Sequence, residues 1–236
     1  MATSKKQRAG ILIIVVATVL GTLGSFAVMI LSMQSNKQAQ ADYQKVLSEY
    51  KKEQTAYEQK KQAQADELSA KYYETFKQYS SQVAKFEIDS VKSLATEDLT
   101  EGDGALVDDK TNFAAYYIGW DANGDIFDQS IDNNKLKTPL PVSGLSTAGI
   151  INGWKEGLKG MKIGGVRLLS IPADKAYGEA GSKDSKGKQI IAPNMPLKFV
   201  VMAIPAPETI SQPDMTKLMN AYHKLSRRSK TRRKSA

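Results

Sequence analysis

The sequence has no cysteine among its 236 residues and a single histidine, His223. Disulfides, thiol nucleophiles and cysteine-ligated metals are therefore excluded, and cysteine usage says nothing about the redox compartment. A zinc or iron centre needs several imidazoles or carboxylates converging, and one His in a basic tail reads as a surface residue. No cofactor fingerprint and no metal-ligand spacing is present. An excess of one charge sign is also missing until the end of the chain. Residues 206–236 hold eight Lys or Arg against Glu208 and Asp214, which accounts for most of the formal charge of +8. The rest is close to neutral, so nucleic acid is not an expected partner of a folded domain there, since affinity for phosphate backbones comes from clustered Lys and Arg.

Residues 11–33, ILIIVVATVLGTLGSFAVMILSM, contain no charge at all. At about 1.5 Å per residue this run can cross a hydrocarbon core of about 30 Å, which predicts a transmembrane helix. A cleaved signal peptide has a shorter apolar core, and the nearest A-x-A, Ala39 to Ala41, lies well past the end of the run. An uncleaved anchor is the preferred reading. Lys5, Lys6 and Arg8 precede the run, against Lys37 and Lys45 after it, so residues 1–10 are expected in the cytoplasm and the remainder outside it, at the cell membrane. Ala17, Gly21 and Ser25 recur every fourth residue, a spacing that lets two such helices approach and leaves homodimerisation open.

Between 35 and 86 there is neither glycine nor proline. With no helix breaker, and with Gln, Lys, Glu and Ala dominant, the composition predicts a helical stalk over 34–89. Tyr43, Leu47, Tyr50, Tyr57, Leu68, Tyr72, Phe76, Tyr79, Val83 and Phe86 fall mostly three, four or seven apart, one stripe on a helix. The stripe is rich in Tyr and Phe rather than in aliphatic heptad residues. Two readings stay open: a self-associating coiled coil, or a spacer whose last turns pack on the following domain. In the tail, residues 207–236, Met215, Leu218, Met219, Tyr222 and Leu225 suggest a short amphipathic helix ahead of the run RRSKTRRK. Disorder, contact with an anionic surface and contact with nucleic acid are the alternatives for that run, in that order.

Over 90–206 the pattern changes to short strand-like runs separated by Gly, Pro, Asn and Asp. Residues 112–130 read as a hairpin, NFAAYYIGW and IFDQS around Asp-Ala-Asn-Gly, with Asn123 and Gly124 supplying positive φ at the turn. Gly165 to Ile171 and Leu197 to Ile204 give two more strands, and Trp154 to Met161 is helix-compatible. The result is an α+β domain large enough to bury a core.

Three ordered stretches then carry a family resemblance: YYIGWDANGDIFDQS, IINGWKEGLKGMKIGGVRLLSIPADKAYG and APNMPLKFVVMAI. Together with the Gly-Asp-Gly at 102–104, they resemble the FKBP-type peptidyl-prolyl cis-trans isomerases over residues 97–204. The resemblance implies a bent antiparallel β-sheet wrapped around one short helix, and Pro-containing polypeptides as substrates. It places Trp154 under the proline ring with Tyr117, Phe127 and Phe199 as walls and Ile150 beside them. It assigns the Ile151 N–H and the Tyr177 hydroxyl to substrate carbonyls, and Asp128 to a polar edge beside the twisting bond. Such a reaction needs no nucleophile or cofactor. Amide rotation meets a barrier of about 18–20 kcal/mol, and a dry pocket that favours the twisted amide over the planar one lowers it.

Two stretches depart from compact members of the family. The segment between Phe127 and Trp154 is longer, and the place of a further wall aromatic falls near Pro139 or Leu140. The loop 181–189, GSKDSKGKQ, is extended and polar, with Ser182 where some relatives place a histidine. The expected protein is a membrane-anchored isomerase acting on exported or cell-surface chains. A tethered chaperone or Pro-peptide binding module is the alternative. A purely structural surface protein would leave the pocket residues unexplained.

Overall fold

Nearly every residue of two strands, Asn112–Trp120 and Leu197–Pro205, is buried, and the reason sets the architecture. The computed structural model describes residues 37–233, with side chains as far as Arg227. Residues 1–10, the segment 11–33 and the end of the basic run lie outside the described residues. No helix among the described residues is long and apolar enough to cross a membrane.

In chain order the regular elements are α1 (Lys37–Lys77), β1 (Ala95–Thr100), β2 (Asn112–Trp120), β3 (Ile126–Gln129), β4 (Ile131–Asp132) and β5 (Lys135–Leu136). There follow β6 (Leu140–Ser143), α2 (Asn152–Gly157), β7 (Val166–Ile171), β8 (Ser182–Lys183), β9 (Gln189–Ile191), β10 (Leu197–Pro205) and α3 (Thr216–Arg233). The chain divides into two compact units, 63–209 and, among the described residues, 37–62 with 210–233.

The larger unit is built on an antiparallel sheet of order β1-β7-β10-β2-β3, with β6 also paired to β2. Side chains alternate across a strand, so β2 and β10 serve two cores. Phe113, Ala115, Phe199, Val201 and Ala203 face one side, where they pack with Trp154 and Leu158 from and just after α2. Tyr116, Ile118, Trp120, Val200, Met202 and Ile204 face the other, where Leu68, Tyr72, Phe76, Tyr79, Val83 and Phe86 cover them. Burial on both faces is why these strands read as continuous apolar runs rather than as polar alternation.

The single short helix and the antiparallel sheet agree with the fold expected for this region. The sheet domain expected from residue 90 is joined by 63–89, whose last helical turns pack on it as the spacer reading allowed. The helix does not continue to Phe86; it ends at Lys77 and gives way to a 3-10 turn, Gln78–Gln82. Beyond that turn the backbone is claimed by tertiary hydrogen bonds. The Trp120 Nε1–H donates to the Ala84 carbonyl at 3.1 Å and the Phe86 N–H to the Ala122 carbonyl at 3.0 Å.

Two local expectations are also corrected. The helix read over Trp154 to Met161 spans Asn152–Gly157 and is followed by Gly160 at φ +77°, a left-handed residue that no helix continues through. Of the Asn123 and Gly124 pair, only Gly124 has positive φ. Asp121 holds that loop instead, its Oδ1 accepting the Asn123 and Asp125 N–H groups at 2.9 and 3.0 Å. The turn with two left-handed central residues lies between β4 and β5, at Asn133 (φ +47°) and Asn134 (φ +59°).

In the smaller unit, Ala39, Tyr43, Leu47 and Tyr50 of α1 are buried with Leu218 and Leu225 of α3. The Tyr43 and Tyr222 rings meet edge to face at 6.4 Å. This part of the stripe packs against the chain's own α3. The short amphipathic helix expected around Met215 to Leu225 is present, with Leu218 and Leu225 buried, and it runs on through Arg233, which corrects the disordered reading for that part of the basic run. The Asp214 carboxylate accepts the Thr216 N–H at 2.8 Å at its start.

Candidate functional site

Four aromatic side chains converge on the α2 face of the sheet, each delivered by a different element. Tyr117 comes from β2, Phe127 from β3, Trp154 from α2 and Phe199 from β10. The Trp154 ring centroid lies 5.4 Å from both Tyr117 and Phe199, edge-on to each, and Phe127 meets Phe199 edge-on at 5.5 Å. These are favoured aromatic geometries, in which ring edges meet ring faces. Two glycines allow the convergence. A Cβ on Gly119 would stand 2.5 Å from Phe199 Cε1 and 2.8 Å from Phe127 Cζ, and one on Gly153 would stand 2.3 Å from Ile171 Cγ2. Glycine at 119 thus lets the two Phe rings cross β2, and glycine at 153 lets the start of α2 rest on β7.

The polar groups stand around this cluster. The Tyr117 hydroxyl donates a short hydrogen bond to Asp128 Oδ2, while Asp128 Oδ1 accepts the Gln129 N–H at 2.8 Å. Burial, then the bond to Asp128, pushes the Tyr117 phenol well above its ordinary pKa. The Tyr177 phenol is raised too, by burial and then by the negative charge of Asp128. Tyr177 is nevertheless 39% exposed. Tyr177 thus stands at the rim rather than in the core.

Ile150 and Ile151 are half-buried against the same core. Ile151 caps α2 in an extended conformation, and its carbonyl accepts the Trp154 and Lys155 N–H groups at 3.0 and 3.3 Å. Its own N–H has no protein acceptor among the described residues. The Trp154 Nε1–H is buried and also has no acceptor among the described residues. The structure therefore brings together all eight residues singled out from the sequence: Tyr117, Phe127, Asp128, Ile150, Ile151, Trp154, Tyr177 and Phe199.

Two neighbours were not legible as site residues. Ser130 is buried beneath the cluster, and its Oγ accepts the Tyr117 N–H at 2.9 Å while its N–H donates to the Tyr117 carbonyl at 2.7 Å. This two-way clamp sets the height of Tyr117 on β2. Lys137 Nζ lies 3.6 Å from Asp128 Oδ1. Ser130 closes the quoted IFDQS motif and could have been asked for a partner. Lys137 carries no signal beyond its charge. At the place of the further wall aromatic, Leu140 packs against this core.

Comparison with known proteins bears on the same region. A profile of the FKBP-type peptidyl-prolyl cis-trans isomerase family matches residues 105–204. An FK506-binding protein of Neisseria meningitidis serogroup A is 38% identical over 109 residues, which are 46% of this chain and 92% of that protein. The chain belongs to the FKBP-type peptidyl-prolyl cis-trans isomerase family. A second member, an FK506-binding protein of Streptomyces anulatus, is 39% identical over 108 residues, 45% of this chain and 81% of its own length. Among solved structures, AtFKBP13 shares 32% identity over 48% of this chain and 93% of its own, with a TM-score of 0.42. All eight pocket residues lie within the stretch matched to the family, whereas α1 and α3 lie outside it.

Proposed function

We propose that this pocket accelerates rotation about X-Pro bonds by non-covalent stabilisation of the twisted amide. The observation that carries the reading is the convergence of Tyr117, Phe127, Trp154 and Phe199 beside a carboxylate and an unengaged backbone donor. In this reading Trp154 forms the floor for the proline ring, and the other three rings with Ile150 exclude water. The Ile151 N–H and the Tyr177 hydroxyl donate to substrate carbonyls and hold the backbone on either side of the bond. As the amide twists, its carbon loses the lone pair of nitrogen and becomes more electron-poor. Asp128, kept in place by Tyr117, presents its charge to that changing dipole. The enzyme thus binds the twisted state better than either planar isomer, which is all that catalysis of this step requires.

The proposal includes a place of action. Residues 11–33 serve as a single-pass anchor with residues 1–10 cytoplasmic, and the isomerase works outside the cytoplasm on exported or cell-surface chains. Lys5, Lys6 and Arg8 ahead of an uncharged run support that orientation. The basic run of the tail is assigned to an anionic surface on charge alone. With part of the α1 stripe occupied by α3, the reading assigns no dimer to that helix.

The test uses the full chain in detergent micelles and measures cis-trans exchange of X-Pro peptides by NMR. The uncatalysed step takes tens to hundreds of seconds at 25 °C, a slow baseline. Wild type should exceed it clearly, with kcat/KM lowered in Asp128→Asn and Tyr177→Phe. A folded chain that binds Pro peptides without accelerating exchange would instead make it a tethered binding module.

A further inference from the structure

Ser69 lies in the interior of α1 and is only 4% exposed. Serines inside helices usually turn back to their own helix carbonyls or out to water. This one accepts the Leu136 N–H from β5 on its Oγ at 2.8 Å. One turn to either side, Asp66 Oδ1 lies 3.2 Å from Lys135 Nζ, and the Tyr73 hydroxyl donates to Asn134 Oδ1 at 3.5 Å. Positions 66, 69 and 73 share one helix face by their spacing. That face meets three consecutive residues, 134–136.

The next residue is Lys137, beside Asp128. Its N–H donates to the Ser130 carbonyl at 2.8 Å and its ammonium stands 3.6 Å from Asp128 Oδ1. The β4–β5 ribbon has two residues in each strand, and an isolated ribbon of that size has no stability of its own. Its position has to be set from outside. The three contacts from α1 do so, and α1 lies outside the stretch matched to the family.

We infer that Ser69 is a positioning residue of the isomerase site: by fixing β5, it sets where the Lys137 ammonium stands against the Asp128 carboxylate. The inference rests on the pocket reading above. Lys137 and Asp128 are both about half exposed, so their interaction is weak unless held at short range. A ribbon released from α1 lets the ammonium drift into solvent. Asp128 then loses one of the three contacts, with the Tyr117 hydroxyl and the Gln129 N–H, that aim its carboxylate at the twisting amide.

The experiment measures kcat/KM for one X-Pro peptide with the full chain in micelles. Ser69→Ala and Lys137→Met should each lower it by about threefold, the scale of one partly exposed ion pair. The double variant should be no slower than Lys137→Met alone, because both changes remove the same interaction. The Ser69→Ala deficit should also shrink at 1 M salt, where screening weakens the pair in wild type as well. As a control, Tyr79→Phe removes the 2.6 Å hydrogen bond to Thr100 Oγ1 from the same face of the sheet. It should lower the melting temperature without changing kcat/KM. Ser69→Ala with full activity, while Asp128→Asn is impaired, would overturn the inference and leave the pocket standing. Full activity in both would remove the pocket reading as well. Losses that multiply in the double variant would also overturn it, by showing that Ser69 acts independently of Lys137.

Discussion

Arg167 on β7 grips Asp98 on β1 with two prongs, Nε to Oδ1 at 2.6 Å and Nη2 to Oδ2 at 2.9 Å. Its remaining nitrogen, Nη1, donates to the Gly157 and Lys159 carbonyls at 2.9 and 3.2 Å. One buried guanidinium thus joins the edge of the sheet to the end of α2, which carries the pocket floor. Arg167→Met should cost about 2–3 kcal/mol, chiefly because two carbonyls lose their donor, since Asp98 itself remains partly solvated. The hydrogen bond from Arg167 holds the Asp98 carboxyl below its usual range. A depressed carboxylate contributes stability above its unfolded pKa of about 3.9, and that contribution fades as pH falls through the lower folded value. Chemical denaturation between pH 2 and 7 should show this acid loss in wild type and a smaller one in Asp98→Asn.

Tyr116 offers a contrasting case. Its hydroxyl is buried with no hydrogen-bond partner among the described residues, and its ring centroid lies 6.2 Å from those of Tyr72 and Phe76. Burial, with Tyr72 beside it, pushes the phenol far above its ordinary pKa. Removing an unsatisfied buried hydroxyl relieves a desolvation cost, so Tyr116→Phe should leave stability unchanged or raise it by about 1 kcal/mol. A loss of about 2 kcal/mol or more in denaturant titration would mean that the hydroxyl is bonded in solution.

Phe76 is fully buried against the face of the sheet remote from the pocket. Phe76→Ala should destabilise the larger unit by about 3–5 kcal/mol, measured by thermal or urea unfolding. A chain begun at residue 90 would lose Leu68, Tyr72, Phe76, Tyr79, Val83 and Phe86 from that face, uncovering much of Tyr116, Ile118, Trp120, Val200, Met202 and Ile204. Such a fragment should aggregate or bind a hydrophobic dye, whereas one begun before Ala63 should not.

The pocket phenols set a pH expectation. Tyr117 and Tyr177 both have pKa values raised by burial, so both hydroxyls stay neutral donors through the alkaline range. The pH profile of kcat/KM should therefore show no alkaline fall attributable to either tyrosine below about pH 10, their ordinary value. An inflection near pH 9 that disappears in Tyr177→Phe would contradict that assignment.

The pocket rings were readable in advance because they sit on motifs whose order along the chain is itself the signal. The main strands were readable from apolar runs bounded by Gly, Pro, Asn and Asp. The continuation from Val83 to Phe86 was not. Its spacing extends the helical stripe, and only the carbonyl of Ala84 meeting Trp120 and the N–H of Phe86 meeting Ala122 reveal that it leaves the helix. Asn133 and Asn134 carry a turn signal of their own, since asparagine tolerates the left-handed region better than most residues, but a neighbouring Asn-Gly pair is the stronger one on sequence alone. Ser69 and Lys137 had no legible role, because their partners lie 67 and 9 residues away on elements that only the fold juxtaposes.

The order β1-β7-β10-β2-β3 has a consequence for how the chain acquires its structure. The central strand, β10, is the last one synthesised. Before residue 205 has emerged, β1 and β7 can pair, and β2 can pair with β3 and β6, but no pairing between these strands joins the two groups. Closing the sheet therefore waits on a segment more than seventy residues beyond β2, a loop whose ordering precedes any return in contacts and slows the event. During that interval β2 and β7 each present an unpaired edge, and the nascent chain passes through the kind of aggregation-prone state that folding helpers exist to shorten.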